Sequence, residues 1–154
     1  MLPVKTILYP TDFSENARHA IPHLSEVVKC FSAKVHLLHV IETSLQVADM
    51  SWSVAPPEMG DRIREVAKER LERLAAELGL PADRITLAVA EGHPSLEITR
   101  YAKAHEIDMI VMSTHGHSGL SHFLLGSVTE RVVRKASCPV LTVRADLDAQ
   151  EEAG

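Results

Sequence analysis

The chain has 154 residues, 45% of them hydrophobic and 24% charged, which suits a soluble globular chain with one core and no second domain. Its 16 basic and 21 acidic residues leave a formal charge of -5, a poor balance for binding nucleic acid through the whole surface. No apolar run approaches the ~20 residues that span a bilayer, and the opening MLPVKTILYPTDF lacks a signal-peptide layout, so a cytoplasmic protein without a membrane partner is expected.

Val4 to Tyr9 is a short apolar, β-branched run ended by Pro10, which predicts a strand. Ala17, Ala20, Ile21, Leu24, Val27, Val28 and Phe31 then fall at steps of three and four and draw one helical face. Pro22 lies inside that pattern and is expected to kink the helix. Lys34 to Val40 reads as a second strand. Residues 42–58 show no period and contain Pro56-Pro57, so they read as a long loop carrying Trp52, expected to fold over a ligand or a partner subunit. Met59 to Leu78 is a strongly periodic helix, stopped by Gly79 and Pro81. Arg84 to Ala90 is a third strand, Ser95 to His105 a helix, and Ile107 to Met112 a fourth strand. Ser127 to Ala136 is a further helix, and Pro139 to Arg144 a fifth strand. The tail 145–154 is acidic and expected to be disordered. Cys30 and Cys138 supply neither a metal spacing nor a disulfide framework.

Strands alternating with helices, most of the strands nearly all apolar, imply an α/β fold: an open parallel sheet covered by helices on both faces. In such sheets ligands bind beyond the carboxyl ends of the strands, where the winding reverses. Two loops look unlike ordinary connections: 10–14 (PTDFS) after the first strand, and 113–130 (STHGHSGLSHFLLGSVTE) after the fourth. A strand order 3-2-1-4-5 makes them neighbours across the crevice, and that coincidence supports the order.

Gly116 and Gly119 permit positive φ and close approach of the backbone to a ligand. Gly126-Ser127 opens a helix whose first amides lack intrahelical partners and carry partial positive charge, a ready phosphate site. Ser127 with Glu130 also fits a capping box, a structural use that can coexist with the ligand use. Asp12 likewise has two readings: a carboxylate for ribose hydroxyls or an adenine amine, or a cap with Glu15 on the first helix.

Over residues 3 to 144 the sequence resembles the universal stress protein family. The nucleotide-binding branch carries glycine, two residues, glycine, nine residues, then glycine and Ser or Thr; here this is Ser113-x2-Gly116-x9-Gly126-Ser127. The words YPTDFSE, VMSTHG, GLSHFLLGSVTERV and CPVLTV are similar too. Ser113 replaces the first glycine: it keeps its amide, adds a hydroxyl and loses positive φ. The resemblance implies an adenine nucleotide alpha hydrolase-like, Rossmann-like fold that binds ATP, AMP or ADP with a divalent cation. By position, Pro10, Thr11 and Asp12 line the adenosine end, and the Val40 backbone meets the adenine edge. Met112, Ser113, Thr114, His115 and Gly116 wrap the ribose and first phosphate; His117, Ser118 and Gly119 extend along the phosphates. Gly126 opens the last helix, where Ser127, Val128 and Thr129 supply amides and hydroxyls to the terminal phosphates. A homodimer through the last strand, Pro139 to Arg144, is also implied.

His115, His117 and His122 invite a zinc reading, but no Cys or carboxylate completes the set within the loop. Mg²⁺ held mainly through phosphates is the expectation. No P-loop or nucleophile elbow is present, and cations for a phosphoryl-transfer clamp are sparse. A regulatory binding module is therefore expected rather than an enzyme. The alternatives are a slow ATPase or autophosphorylating enzyme, and a nucleotide-free member of the family's other branch.

Overall fold

The computed structural model describes residues 3–43, 57–115 and 125–144. The loop around Trp52, the glycine-rich stretch holding Gly116, His117, Ser118, Gly119 and His122, and the acidic tail lie outside the described residues. The elements in chain order are β1 (Thr6–Pro10), α1 (Glu15–Arg18), α2 (Ile21–Phe31), β2 (Lys34–Glu42) and α3 (Pro57–Leu78). A short 3₁₀ turn (Ala82–Arg84), β3 (Ile85–Gly92), α4 (Pro94–Ala104), β4 (Met109–Ser113), α5 (Ser127–Lys135) and β5 (Val140–Val143) follow. All strand pairings are parallel, in the order β3-β2-β1-β4-β5. That is the order the two unusual loops implied.

Period-two alternation sends side chains to opposite faces of the sheet. Ile7 and Tyr9 of β1 join Val35, Leu37 and Val111 beneath Leu24 and Val28 of α2 and Leu71 and Leu74 of α3. Leu8 points the other way, with Leu38, Ile110 and Met112, against Ile98 and Ala102 of α4 and Val132 of α5. Two apolar layers thus sandwich the sheet, which explains why β1 and β4 are apolar on both faces.

Most boundaries shift by one or two residues from the sequence expectation, and three of the differences have a physical reason in the packing. The first helix is two helices rather than one with a kink. Pro22 has no N–H for the carbonyl one turn back and its ring crowds that turn, so α1 stops at Arg18 and α2 restarts with Pro22 in its first turn. The Ala17 carbonyl takes the phenol O–H of buried Tyr9 at 2.6 Å. Burial pushes that phenol's pKa up to about 12, so it stays protonated and donating. The fourth strand begins at Met109, not Ile107. Asp108 instead turns its carboxylate onto the Lys5 and Thr6 amides, at 2.8 and 2.9 Å. The second strand continues past Val40 to Glu42, paired with β3 throughout.

Candidate functional site

β1 and β4 pair only through Ile7–Met109 and Leu8–Ile110. Both strands run on past that point, β1 paired with β2 as far as Pro10 and β4 with β5 as far as Ser113. A crevice therefore opens between them at their carboxyl ends, where the winding reverses.

The loop after β1 is held by its own side chains. The Thr11 amide donates to the Leu38 carbonyl at 2.9 Å. Thr11 Oγ1 accepts from the Phe13 amide at 3.0 Å, and Asp12 Oδ1 from the Ser14 amide at 2.9 Å. These two short turns hold Phe13 at φ 61°, a left-handed conformation that costs on the order of 1 kcal/mol or more outside glycine. The Phe13 ring lies 4.6 Å from the His39 ring and 4.9 Å beneath the Arg70 guanidinium. His39 Nδ1–H donates to the Thr11 carbonyl at 2.8 Å, tying the loop to β2. The first helix is capped by Ser14, whose Oγ accepts from the Ala17 amide. The cap role offered for Asp12 with Glu15 is thereby corrected: Asp12 acts one turn earlier, on Ser14, and lies against the crevice.

The loop after β4 is equally constrained where it is described. Ser113 Oγ donates to the His115 carbonyl at 2.6 Å. The Thr114 amide donates to Val143, and its carbonyl accepts from the Gly126 amide at 2.7 Å, which brings the start of α5 back to the end of β4. Thr129 Oγ1 donates to the Ser113 carbonyl at 3.0 Å. Two hydroxyls expected to face a ligand, those of Ser113 and Thr129, thus have their hydrogens engaged by backbone carbonyls. His115 Nδ1 faces Thr114 Oγ1 at 3.0 Å, while its Nε2 is enclosed without a partner among the described residues.

α5 begins without a cap. Gly126 is its N-cap residue, with no side-chain hydrogen bond to the helix. The first helical bond runs from the Glu130 amide to the Gly126 carbonyl. The Ser127–Glu130 capping box is corrected accordingly: Ser127 is already inside the helix, one position too late to cap, and Glu130 pairs with Arg134 at 2.8 Å. Gly126 has φ −58° and ψ 151°, a conformation open to any residue. Gly126 therefore carries no backbone strain, and it lies on the cleft lining.

Together these elements enclose a cleft of about 530 Å³, within the range of roughly 300–1,000 Å³ typical of small-ligand sites. It brings Pro10, Thr11 and Asp12, Val40, and Met112, Ser113 and His115 together with Gly126, Ser127, Val128 and Thr129. Thr114 is not among the lining residues; its backbone is engaged by Val143 and Gly126. Leu38, His39 and Glu42 from β2, Pro94 and Ile98 from α4, and Ala17 also line the cleft, and no sequence motif marks them. His39 and Glu42 flank Val40 at one strand end, so their proximity was available from the strand assignment. Pro94 and Ile98 arrive only through packing of α4. No Lys or Arg lines the described cleft. Among the described residues no group of three His, Cys, Asp or Glu side chains could hold a metal. The site is therefore polarised: Asp12 and Glu42 supply acceptors, whereas the uncapped mouth of α5 supplies donors and partial positive charge.

The universal stress protein family model matches residues 3–144. The chain belongs to the universal stress protein family. It is 36% identical over 153 residues to universal stress protein MJ0577 of Methanocaldococcus jannaschii, covering 91% of this chain and 94% of that protein. A solved structure of protein MJ0577 superposes with a TM-score of 0.79 at 34% identity, covering 94% of this chain and 99% of that one. The Arabidopsis thaliana family protein At3g01520, solved with AMP bound, shares the fold at TM-score 0.62 and 21% identity, covering 94% of each chain. Among the described residues no helix is long and apolar enough to cross a membrane.

Proposed function

We propose that this universal stress protein is a cytoplasmic regulatory module that binds an adenine nucleotide, ATP or its mono- or diphosphate, in the cleft between β1 and β4. The observation that carries the reading is the uncapped first turn of α5, opening into a cleft whose opposite wall presents the Asp12 carboxylate. Free helix-terminal amides suit phosphate oxygens, and a carboxylate accepts from ribose hydroxyls or an exocyclic amine. The backbone of Val40, at the end of β2, offers an N–H and a C=O for a base edge.

Mg²⁺ would be held mainly by the phosphates, because the described cleft offers only scattered carboxylates. With no Lys or Arg on the described lining, no cationic clamp is preformed for the charge that develops in phosphoryl transfer. Occupancy, rather than turnover, is the output. A homodimer through β5 fits the same reading. That strand is a sheet edge, Leu141 is 38% exposed on it, and an unpaired edge is a pairing surface.

Calorimetric titration of ligand-stripped protein with ATP, ADP and AMP, with and without magnesium, tests the proposal. Heat of binding together with a raised melting temperature is expected. Absence of both for every adenylate refutes it. Multiple-turnover hydrolysis of ATP that is lost in Gly126→Val would move the reading to the slow enzyme.

A further inference from the structure

Arg131 sits one turn into α5 and is exposed. Its Nη1 lies 2.9 Å from His93 Nε2, and His93 is the residue just before α4. A guanidinium only donates, so His93 Nε2 must accept. The imidazole is then neutral, with its hydrogen on Nδ1, directed at Oγ of buried Ser95, 3.1 Å away. The bridge thus joins the N-cap of α4 to the second turn of α5 at the rim of the cleft, since Pro94 on one side and Ser127 and Val128 on the other line it.

Most arginine side-chain pairs among the described residues are salt bridges, although Arg70 lies over the Phe13 ring and Arg84 donates to the Ala33 carbonyl. Arg18, Arg64, Arg100 and Arg134 each pair with a carboxylate. Among the described residues Arg131 pairs with none; its partner is an uncharged ring nitrogen. The bond to a neutral ring nitrogen is a single contact with one ionised partner, whereas a phosphate offers the opposite charge and a bidentate fork. Helix side chains also lean toward the amino terminus, so the Arg131 stem runs back over Ser127, whose amide opens the helix. The guanidinium is therefore parked beside the anion-binding end of the cleft on a partner that a phosphate would outcompete.

We propose that Arg131 is a specificity residue for polyphosphate length: it leaves His93 to engage the terminal phosphate of a nucleoside triphosphate, and it does not reach the single phosphate of a monophosphate. This rests on the nucleotide reading above and adds to it the group that distinguishes ATP from AMP.

The test is calorimetric titration of the full chain with Mg-ATP and with AMP, for the wild type, Arg131→Ala and His93→Ala. Arg131→Ala should weaken ATP about tenfold, the loss of one charge-assisted contact, and change AMP by no more than about twofold. His93→Ala frees the guanidinium and should leave ATP affinity equal or tighter. Equal weakening of both ligands, or of neither, by Arg131→Ala overturns the inference. A loss of ATP affinity in His93→Ala matching that in Arg131→Ala also overturns it, because the bridge would then act as scaffolding. A wild type that binds neither nucleotide sinks the nucleotide reading itself, an outcome distinct from the others.

Discussion

Ser127 permits a direct test of whether backbone amides do the binding, because its position in the helix tolerates the one residue that lacks an amide hydrogen. It is the first helical residue of α5, where proline is favoured and its missing N–H breaks no intrahelical bond. Proline also requires an extended residue before it, and Gly126 already has φ −58° and ψ 151°. Ser127→Pro should therefore fold normally, with a stability change within about 1 kcal/mol. It removes one N–H and one hydroxyl from the mouth of the cleft. Ser127→Ala removes the hydroxyl alone. A hydrogen bond to a charged group is worth about 1.5–3 kcal/mol, so loss of the amide should weaken ATP roughly ten- to hundredfold. The alanine variant reports the hydroxyl's share, so the further loss in the proline variant is the amide's. Calorimetric affinities and thermal melts of both variants separate binding from folding. If the proline variant is as stable as wild type and binds ATP as the alanine variant does, the helix mouth is not the phosphate site.

Tyr9→Phe keeps the ring packed and removes only the bond to the Ala17 carbonyl. It should cost about 1 kcal/mol in urea unfolding, and an unchanged midpoint would show that the phenol does not pin α1. His36 is partly buried, with Nδ1 2.8 Å from the Tyr101 hydroxyl; burial first, then His105 and Lys34, lower its pKa below the ordinary 6.5. The unfolded chain takes up that proton at higher pH than the native state. His36 therefore contributes stability above pH 6.5 that is lost as pH falls through 6.5 toward the lower native value. His36→Gln should flatten the fall in melting temperature between about pH 7 and pH 5, and an unaltered slope would refute this. For the proposed β5 homodimer, Leu141→Lys at the exposed edge should give a monomer in light scattering while ATP affinity stays close to wild type; a dimer that persists would place the interface elsewhere, and a monomeric wild type would refute the dimer.

Much of this architecture is legible along the chain because its causes are local. The spacing of Leu71 and Leu74 marks a helix face, the double-sided apolar runs of β1 and β4 mark a sheet covered on both faces, and Pro22 marks a break. Even there, periodicity announced one helix and the ring of Pro22 made two. The spaced glycines Gly116, Gly119 and Gly126 pointed to a ligand loop, although its middle lies outside the described residues. Cap positions were less legible. Ser127 and Asp12 both have capping chemistry, yet a shift of a single residue at a helix start decides whether a hydroxyl caps a helix or a cleft receives bare amides.

The sequence by itself determined the kinds of element, their order and which two loops flank the crevice, since these follow from side-chain period and from backbone freedom within a few residues. Tertiary structure alone decided that His39 clamps the Thr11 carbonyl, that Pro94 and Ile98 complete the cleft wall, and that Arg131 meets His93 across two helices. Those partners lie tens of residues apart and are brought together by two faces of a sheet burying their apolar side chains, a constraint that no short stretch of chain contains.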